Sequence, residues 1–383
     1  MDKLVYLLYP LLFLLLLWGS RWQSRGQWNE DAFSHEQCKL WQGFCTVCIL
    51  LHHASQCTTS PWIAKAYYRP GLGTFFHTGY LFVAFFLLCS GYGLYTSWKN
   101  KPDYLRGFFR RRVLPVVVAF YTTNWLYLII RLLTGEQVTT ARLWWFLLGA
   151  QQANDAWFAV ALPVFYLMFW LCFRLIRKEG WAIAGVFALV LCWMVAGAAV
   201  GPNDWVLKGE WWYNTAVFFP LGMVYAKYRQ PIARAAKRHY WPLLIGAVVL
   251  CPLLYLLSRR IITLFPFSCR GVEWLPERIG RRMLGASGQI AMGLAFVSLL
   301  VLLGMKLKLK NRALSLLGAL TLELYLIHYI FINLFSYKFF AMKPSPLYIP
   351  NAFFFVLAAA ACSLPAALLL RKALHPTQPL PRG

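Results

Sequence analysis

The chain is short of charge. Of its 383 residues, 13% are Asp, Glu, Lys or Arg, against about 25% in a soluble domain that must keep its surface wet. That shortage excludes a soluble enzyme. Acidic residues are scarcer still, 13 against 38 Lys and Arg. Low hydrophobicity is missing too, since 60% of residues are hydrophobic, and this excludes disorder. The sequence has no internal repeat and no low-complexity tract. No loop between apolar runs exceeds about 25 residues, which leaves no room for a separate soluble catalytic domain. Any chemistry must take place between helices or at their ends.

What the chain has in abundance is apolar runs. A helix needs roughly 20 apolar residues to cross the hydrocarbon core. About eleven stretches approach that length: Leu4–Trp18, Leu40–Gln56, Phe75–Tyr95, Val113–Leu133, Trp157–Ile176, Trp181–Val200, Trp211–Tyr225, Trp241–Leu257, Met283–Met305, Leu314–Phe335 and Leu347–Leu370. The runs are continuous, so helices satisfy the backbone in lipid and a barrel of alternating strands does not fit. The expected fold is all-α, a polytopic integral membrane helical bundle of about 10–11 transmembrane helices.

The net charge of +25 would suggest nucleic acid in a soluble chain. Here the cations sit in short clusters between apolar runs, which points to a membrane surface and to no nucleic acid. With the loops after the odd-numbered spans and the C-terminal tail in the cytoplasm, 24 of the 38 Lys and Arg lie inside and 14 outside. The N-terminus is then outside and the C-terminus cytoplasmic. The clearest markers are Lys99 to Arg112, Lys227 to Arg238 and Lys306 to Arg312. One loop disagrees: Ser258–Arg282 falls outside yet carries Arg259, Arg260, Arg270, Arg278, Arg281 and Arg282. The first run lacks an A-x-A site and is followed by Arg21 and Arg25, so an anchored helix is preferred to a cleaved signal peptide.

The ten cysteines follow no pairing pattern. Cys45 and Cys48 lie inside an apolar helix and read as small buried residues, not as a redox or metal site. Only Cys57 and Cys269 fall on the oxidising side, where a disulfide between them is open. No metal is expected.

Ionisable residues inside spanning helices are expensive and point to function by default. In the first such place, Lys39 to His53, positions 39, 42, 46, 49 and 53 form one stripe at about 100° per residue. Lys39, Gln42, Thr46 and His53 therefore share a face, with His52 turned away. Neutral imidazole can take a proton near physiological pH, although interfacial histidines that merely end a helix in water would look the same. The second place runs from His77 through Ser90, Gly91, Tyr92 and Gly93 to Arg106, Arg110, Arg111 and Arg112. Small residues there allow close helix approach, and the arginines suit anionic lipid or a phosphorylated cofactor. In the third, Glu323 and His328 are five residues apart, about 140° around one helix, so each needs its own partner.

These residues resemble acyltransferase family 3, multi-spanning membrane O-acyltransferases of bacterial envelopes. The likeness runs from about Cys38 to Phe335 and is strongest over Leu40–Pro115. The family's helix of the form Arg-Gly-aliphatic-His, with ten residues between Arg and His, falls on Gln42 and His53. Its Phe-Phe helix ending in Ser-Gly is matched by Phe85-Phe86 and Ser90-Gly91, and its aromatic-basic turn into Pro by Phe108 to Pro115. Trp157-Phe158 and the Tyr-Leu-Ile-His of Tyr325 to His328 complete the set. Two positions depart from the pattern. Gln42 replaces the family's Arg, with Lys39 one turn away on the same stripe, and the arginine cluster is contiguous where the family spaces it as Arg-x-x-Arg.

The resemblance implies a division into an extra N-terminal transmembrane helix and cytoplasmic loop (1–37), an acyltransferase domain (38–372) and a cytoplasmic tail (373–383), in a bacterial cytoplasmic membrane. It implies acyl-CoA, most simply acetyl-CoA, as donor and a glycan or other hydroxylated compound as acceptor. The implied catalytic residues are His53, Glu323 and His328. Arg110, Arg111, Arg112 and Arg106 would hold the cofactor phosphates, with Lys39, Gln42, His52, His77, Ser90, Tyr92 and Trp157 in supporting roles. Direct and covalent two-step transfer both stay open. The alternative from another class is a transporter or flippase of a glycan or small anionic metabolite, which would show two related halves; the sequence has no such symmetry.

Overall fold

A computed structural model describes residues 3–135, 137–149, 156–200, 209–338 and 343–375. The elements in chain order are α1 (Leu8–Leu17), β1 (Arg21–Trp22), α2 (His35–Gln56), α3 (Gly79–Asn100), α4 (Leu114–Leu133), α5 (Thr140–Leu147), α6 (Trp157–Leu175), α7 (Glu179–Val200), α8 (Phe218–Lys227), α9 (Arg229–Arg238), α10 (Tyr240–Leu264), α11 (Leu275–Lys306), β2 (Leu307–Lys308), α12 (Arg312–Ala319), α13 (Thr321–Phe335), β3 (Tyr337–Lys338), β4 (Lys343–Pro344) and α14 (Ala352–Leu374). The protein is a polytopic helical bundle. Among the described residues the strands are short antiparallel pairs, β1 with β2 and β3 with β4.

Each of the eleven apolar stretches contains helix, but not each makes a full span. Among the described residues, seven helices are long and apolar enough to cross a membrane: α3, α4 with the π-helical turn Phe109–Val113 ahead of it, α6, α7, α10, α11 and α14. The pair α12 and α13 would make an eighth, bent by 85° at Leu320. α2 has the length, 22 residues, but its polar stripe lowers its apolarity. The first run forms a helix over Lys3–Leu17, roughly 25 Å long and shorter than the hydrocarbon core. The stretch Trp211–Tyr225 gives only the short α8, because Pro220 lacks an N–H and is accommodated in a first turn, so the helix starts at Phe218.

The chain forms two compact units: Met1–Phe82, Val118–Val138 and Lys306–Gly383 make the first, Val83–Val117 and Thr139–Met305 the second. In the first unit α2 starts at Ser34, whose hydroxyl accepts from the N–H of Gln37 (3.2 Å), while Glu36 complements the helix dipole in the first turn. α2 then crosses α12 at two glycines. A Cβ on Gly43 would strike the carbonyl of Leu314, and one on Gly318 the carbonyl of Lys39. Glycine alone permits this approach. Near the same crossing the Gln37 amide donates to the Leu309 carbonyl (2.9 Å) and accepts from the Leu309 N–H (3.0 Å). Lys306 is buried and donates to the carbonyls of Ser24 (2.9 Å) and Gln27 (2.6 Å) beneath the Trp28 ring. Part of that basic cluster therefore ties down the segment after α1 instead of facing lipid headgroups.

In the second unit α3 crosses α8 at Gly91 and Gly222, where added Cβ atoms would strike the carbonyls of Phe219 and Leu88. Gly93, expected to share that role, has open space beside it. Two arginines of the discordant loop have partners within the protein. α10 and α11 take up most of that loop, leaving residues 265–274 as the connection. Arg282 is buried and donates to the carbonyls of Ala198 (2.5 Å) and Phe267 (2.9 Å), capping the end of α7. Arg281 pairs with Glu277 one turn earlier (2.9 Å). All ten cysteines are free thiols, Cys57 and Cys269 included, so the disulfide is not formed.

Candidate active site

Three histidines meet in the first unit. His52 and His53 end α2, and His328 comes from the middle of α13. The bend at Leu320 turns α13 against the last turns of α2, which the glycine crossing holds close. The ring centroid of His53 lies 5.0 Å from that of His52, 5.1 Å from that of His328 and 5.3 Å from that of Tyr329.

Two of the three rings are fixed by backbone carbonyls. His52 Nδ1 is 2.8 Å from the Phe75 oxygen, and His328 Nδ1 is 2.9 Å from the Leu324 oxygen. A carbonyl only accepts, so each Nδ1 carries the proton and each Nε2 keeps the basic lone pair. The edge of His52 is pressed against Gly79, where a Cβ would collide with the ring. His53 differs: its Nδ1 is buried and makes no hydrogen bond. A buried polar atom without a partner is costly and rare. A hydroxyl delivered to that nitrogen would restore the missing bond.

The other first-unit residues singled out in the sequence make their contacts elsewhere. Lys39 and Gln42 share the predicted stripe with His53, but Gln42 is eleven residues earlier, roughly 16 Å along α2. The half-buried His77 stacks edge-on against Phe76 (4.2 Å). Glu323 is buried and pairs with Arg371 of α14 at 3.6 Å. The same guanidinium donates to the Ala319 carbonyl at 2.8 Å. Glu323 thus helps hold the α12–α13 bend that presents His328.

The second unit carries the basic turn. Gly107, at φ +68°, and Asp103, at φ +52°, fold the chain back ahead of the π-helical turn. Arg111 is spent within this turn, donating to the carbonyls of Tyr104 (2.8 Å) and Arg106 (2.6 Å). Arg112 donates to the Tyr104 hydroxyl (2.9 Å). A groove of about 780 Å³ opens beside the turn, lined by Lys99, Lys101, Arg106 and Arg174 with Trp98, Tyr104 and Trp170. Asp103 also lies on its wall, and Glu179 pairs with Lys99 (2.8 Å). Arg106 therefore faces a ligand-sized space, whereas Arg110, Arg111 and Arg112 do not line it. Elsewhere in this unit the Ser90 hydroxyl donates to that of Tyr166 (3.1 Å), and Arg229 donates to the Tyr92 hydroxyl (3.0 Å). Trp157 is buried against Trp212 (6.1 Å between rings). Among the described residues no group of His, Cys, Asp or Glu is arranged to hold a metal ion.

A family model described as an acyltransferase domain, that of acyltransferase family 3, matches residues 37–370. The chain belongs to acyltransferase family 3. No curated protein and no solved structure matches it. Family membership makes the chain a membrane acyltransferase, and the match covers both the histidine cluster and the basic groove while leaving α1 outside.

Sequence reasoning missed the groove residues Lys101, Arg174, Trp98 and Trp170. Arg174 is far from the arginine cluster in sequence, and only the packing of α6 brings it there. A usable signal existed in Trp98-Lys99 and Trp170, aromatic and basic residues placed at helix ends. Arg371 was missed for the same reason. A buried Glu323 demanded a cation, and the sequence does not say which one.

Proposed function

We propose that this acyltransferase transfers an acyl group, acetyl in its smallest form, from acyl-CoA to a hydroxyl of an envelope or exported glycan at the bacterial cytoplasmic membrane. The observation that carries this reading is the Nδ1 of His53, buried and without a hydrogen bond between two imidazoles whose tautomers are fixed.

The acceptor hydroxyl donates to His53 Nδ1. As its oxygen attacks the thioester carbonyl, the proton passes to the imidazole and a tetrahedral intermediate forms. Collapse breaks the carbon–sulfur bond, and the departing CoA thiolate takes the proton from His53. The products are the ester and free CoA, with His53 neutral again. General-base help of this kind contributes about 10²–10⁴ in rate. His52 and His328 act as positioning residues, keeping the His53 ring from turning away. Glu323 acts one step further back, through the bend.

The donor's phosphates suit the groove at Lys101, Arg106 and Arg174, since Lys99 is already paired with Glu179 (2.8 Å), and the adenine ring can stack on Trp98 or Trp170. Arg110 and Arg112 add to the positive field at that surface. The test is transfer of labelled acetyl from acetyl-CoA to envelope polysaccharide by membranes carrying the wild-type chain or His53→Ala. Labelled polysaccharide with the wild type and background with the variant is expected. Equal labelling in both would remove His53 from the mechanism, and none in either would reject the donor or the acceptor class.

A further inference from the structure

The first unit contains a cavity of about 260 Å³ between α1, α2, α13 and α14. Leu12 and Leu15 of α1, Leu50 of α2 and Val356 of α14 supply its apolar wall. His328 lies on the same wall, 5.1 Å ring to ring from His53. Apart from the Nε2 of His328, the cavity offers little to a polar ligand. The hydroxyls of Thr46 and Ser363 line it, but each is already given to a carbonyl of its own helix, Gln42 (2.8 Å) and Ala359 (2.6 Å). The Nδ1–H of His328 is given to Leu324.

Such a space favours hydrocarbon. Leu11 and Leu357 also line it and are exposed on the outer surface, so it opens sideways between α1 and α14. Its α1 wall is firmly placed: Tyr9 donates to the Gly71 carbonyl and the Asn311 amide to the Leu15 carbonyl, both at 2.7 Å. A cavity of about 150 Å³ accepts benzene, with six carbons, so one of this size accepts about ten. That is too little for a whole phospholipid or a polyprenyl carrier and ample for one medium-length chain.

We propose that this cavity, walled on one side by the N-terminal helix that lies outside the family match, binds the hydrocarbon tail of the transferred acyl group. The inference rests on the acyl-transfer reading above. With the thioester carbonyl at His53, the tail runs past His328 into the cavity. The acyl–sulfur bond breaks and the acyl–oxygen bond forms there, while the tail stays in place until the ester leaves. The enzyme then prefers acyl groups of about eight to ten carbons over acetyl.

The experiment uses the full chain in nanodiscs of phosphatidylethanolamine and phosphatidylglycerol. Two probes carry the same terminal diazirine, one a decanoyl-CoA and the other a phospholipid, and cross-linked peptides are mapped for the wild type, Leu12→Trp and Ala360→Trp. Both substitutions fill the cavity, the first from outside the family core, and size-exclusion chromatography checks that each remains monodisperse. Expected are decanoyl-CoA cross-links on α1 and α14 that fall about tenfold in the filled variants. The ratio of decanoyl to acetyl turnover should fall with them. Labelling by the phospholipid probe alone would make the cavity a bilayer-lipid site and overturn the proposal. Acetyl transfer without any cavity labelling would also overturn it while leaving the acyl-transfer reading intact. Cavity labelling by decanoyl-CoA with no turnover of any acyl-CoA would uphold the tail site and reject the transfer reading.

Discussion

The two polar regions of this acyltransferase are built on opposite plans. In the first unit three imidazoles are packed among apolar helices, and backbone carbonyls hold two of them in one tautomer. In the second, cations on long side chains stand around an open groove, and part of the neighbouring arginine cluster is consumed by its own turn. The difference lies in what sets the geometry. At the histidines it is the helix crossing and the bend, so one misplaced atom disturbs the whole cluster. At the groove it is a sum of exposed charges, each worth little alone. Substitutions should therefore be severe and individual in the first region, and mild and cumulative in the second.

The harshest test of the contrast is Gly43→Leu. Its side chain would meet the Leu314 carbonyl at the crossing that brings α2 to α12, at a cost of about 3 kcal/mol or more. Loss of monodisperse protein in size-exclusion chromatography is expected, and normal yield with full activity would show that the crossing does not shape the site. Next in size is His328→Phe, which keeps the ring volume and removes the nitrogens beside His53. Turnover should fall about 10- to 100-fold with KM for acyl-CoA little changed; a rise in KM alone would move His328 from positioning His53 to donor binding.

Joint replacement of Lys101, Arg106 and Arg174 by Gln should sharpen the other side. KM for acyl-CoA is expected to rise about tenfold, less steeply at high salt, with kcat unchanged. An unchanged KM would take the donor out of this groove. The smallest effect belongs to Arg110→Gln, which should stay within about twofold of wild type in both constants because its side chain does not line the groove. A large loss there would return the phosphates to the contiguous cluster that the sequence suggests.

Much of the fold is legible in the sequence because lipid demands long apolar helices, and all eleven stretches hold helix. Where the reading goes astray, side chains have tertiary partners that spacing does not reveal. In Leu314–Phe335 the 85° bend falls at Leu320, neither proline nor glycine, and a lone Gly318 two residues earlier does not announce it. Of the arginines that upset the charge count over Ser258–Arg282, Arg282 caps α7 from inside the protein, which charge counting does not foresee. At the site, helical periodicity correctly puts Lys39, Gln42 and His53 on one face, yet periodicity is blind to distance along the axis and to the partner helix. The meeting of His53 with His328, and of Glu323 with Arg371, depends on contacts between residues hundreds or tens of positions apart.

The most direct test compares purified wild type with His53→Ala for two quantities in one preparation, acyl-CoA binding and the rate of acyl transfer at saturating donor. A proton acceptor at His53 predicts unchanged binding with turnover reduced about 10²–10⁴-fold. Turnover equal to wild type, at equal binding, would contradict it.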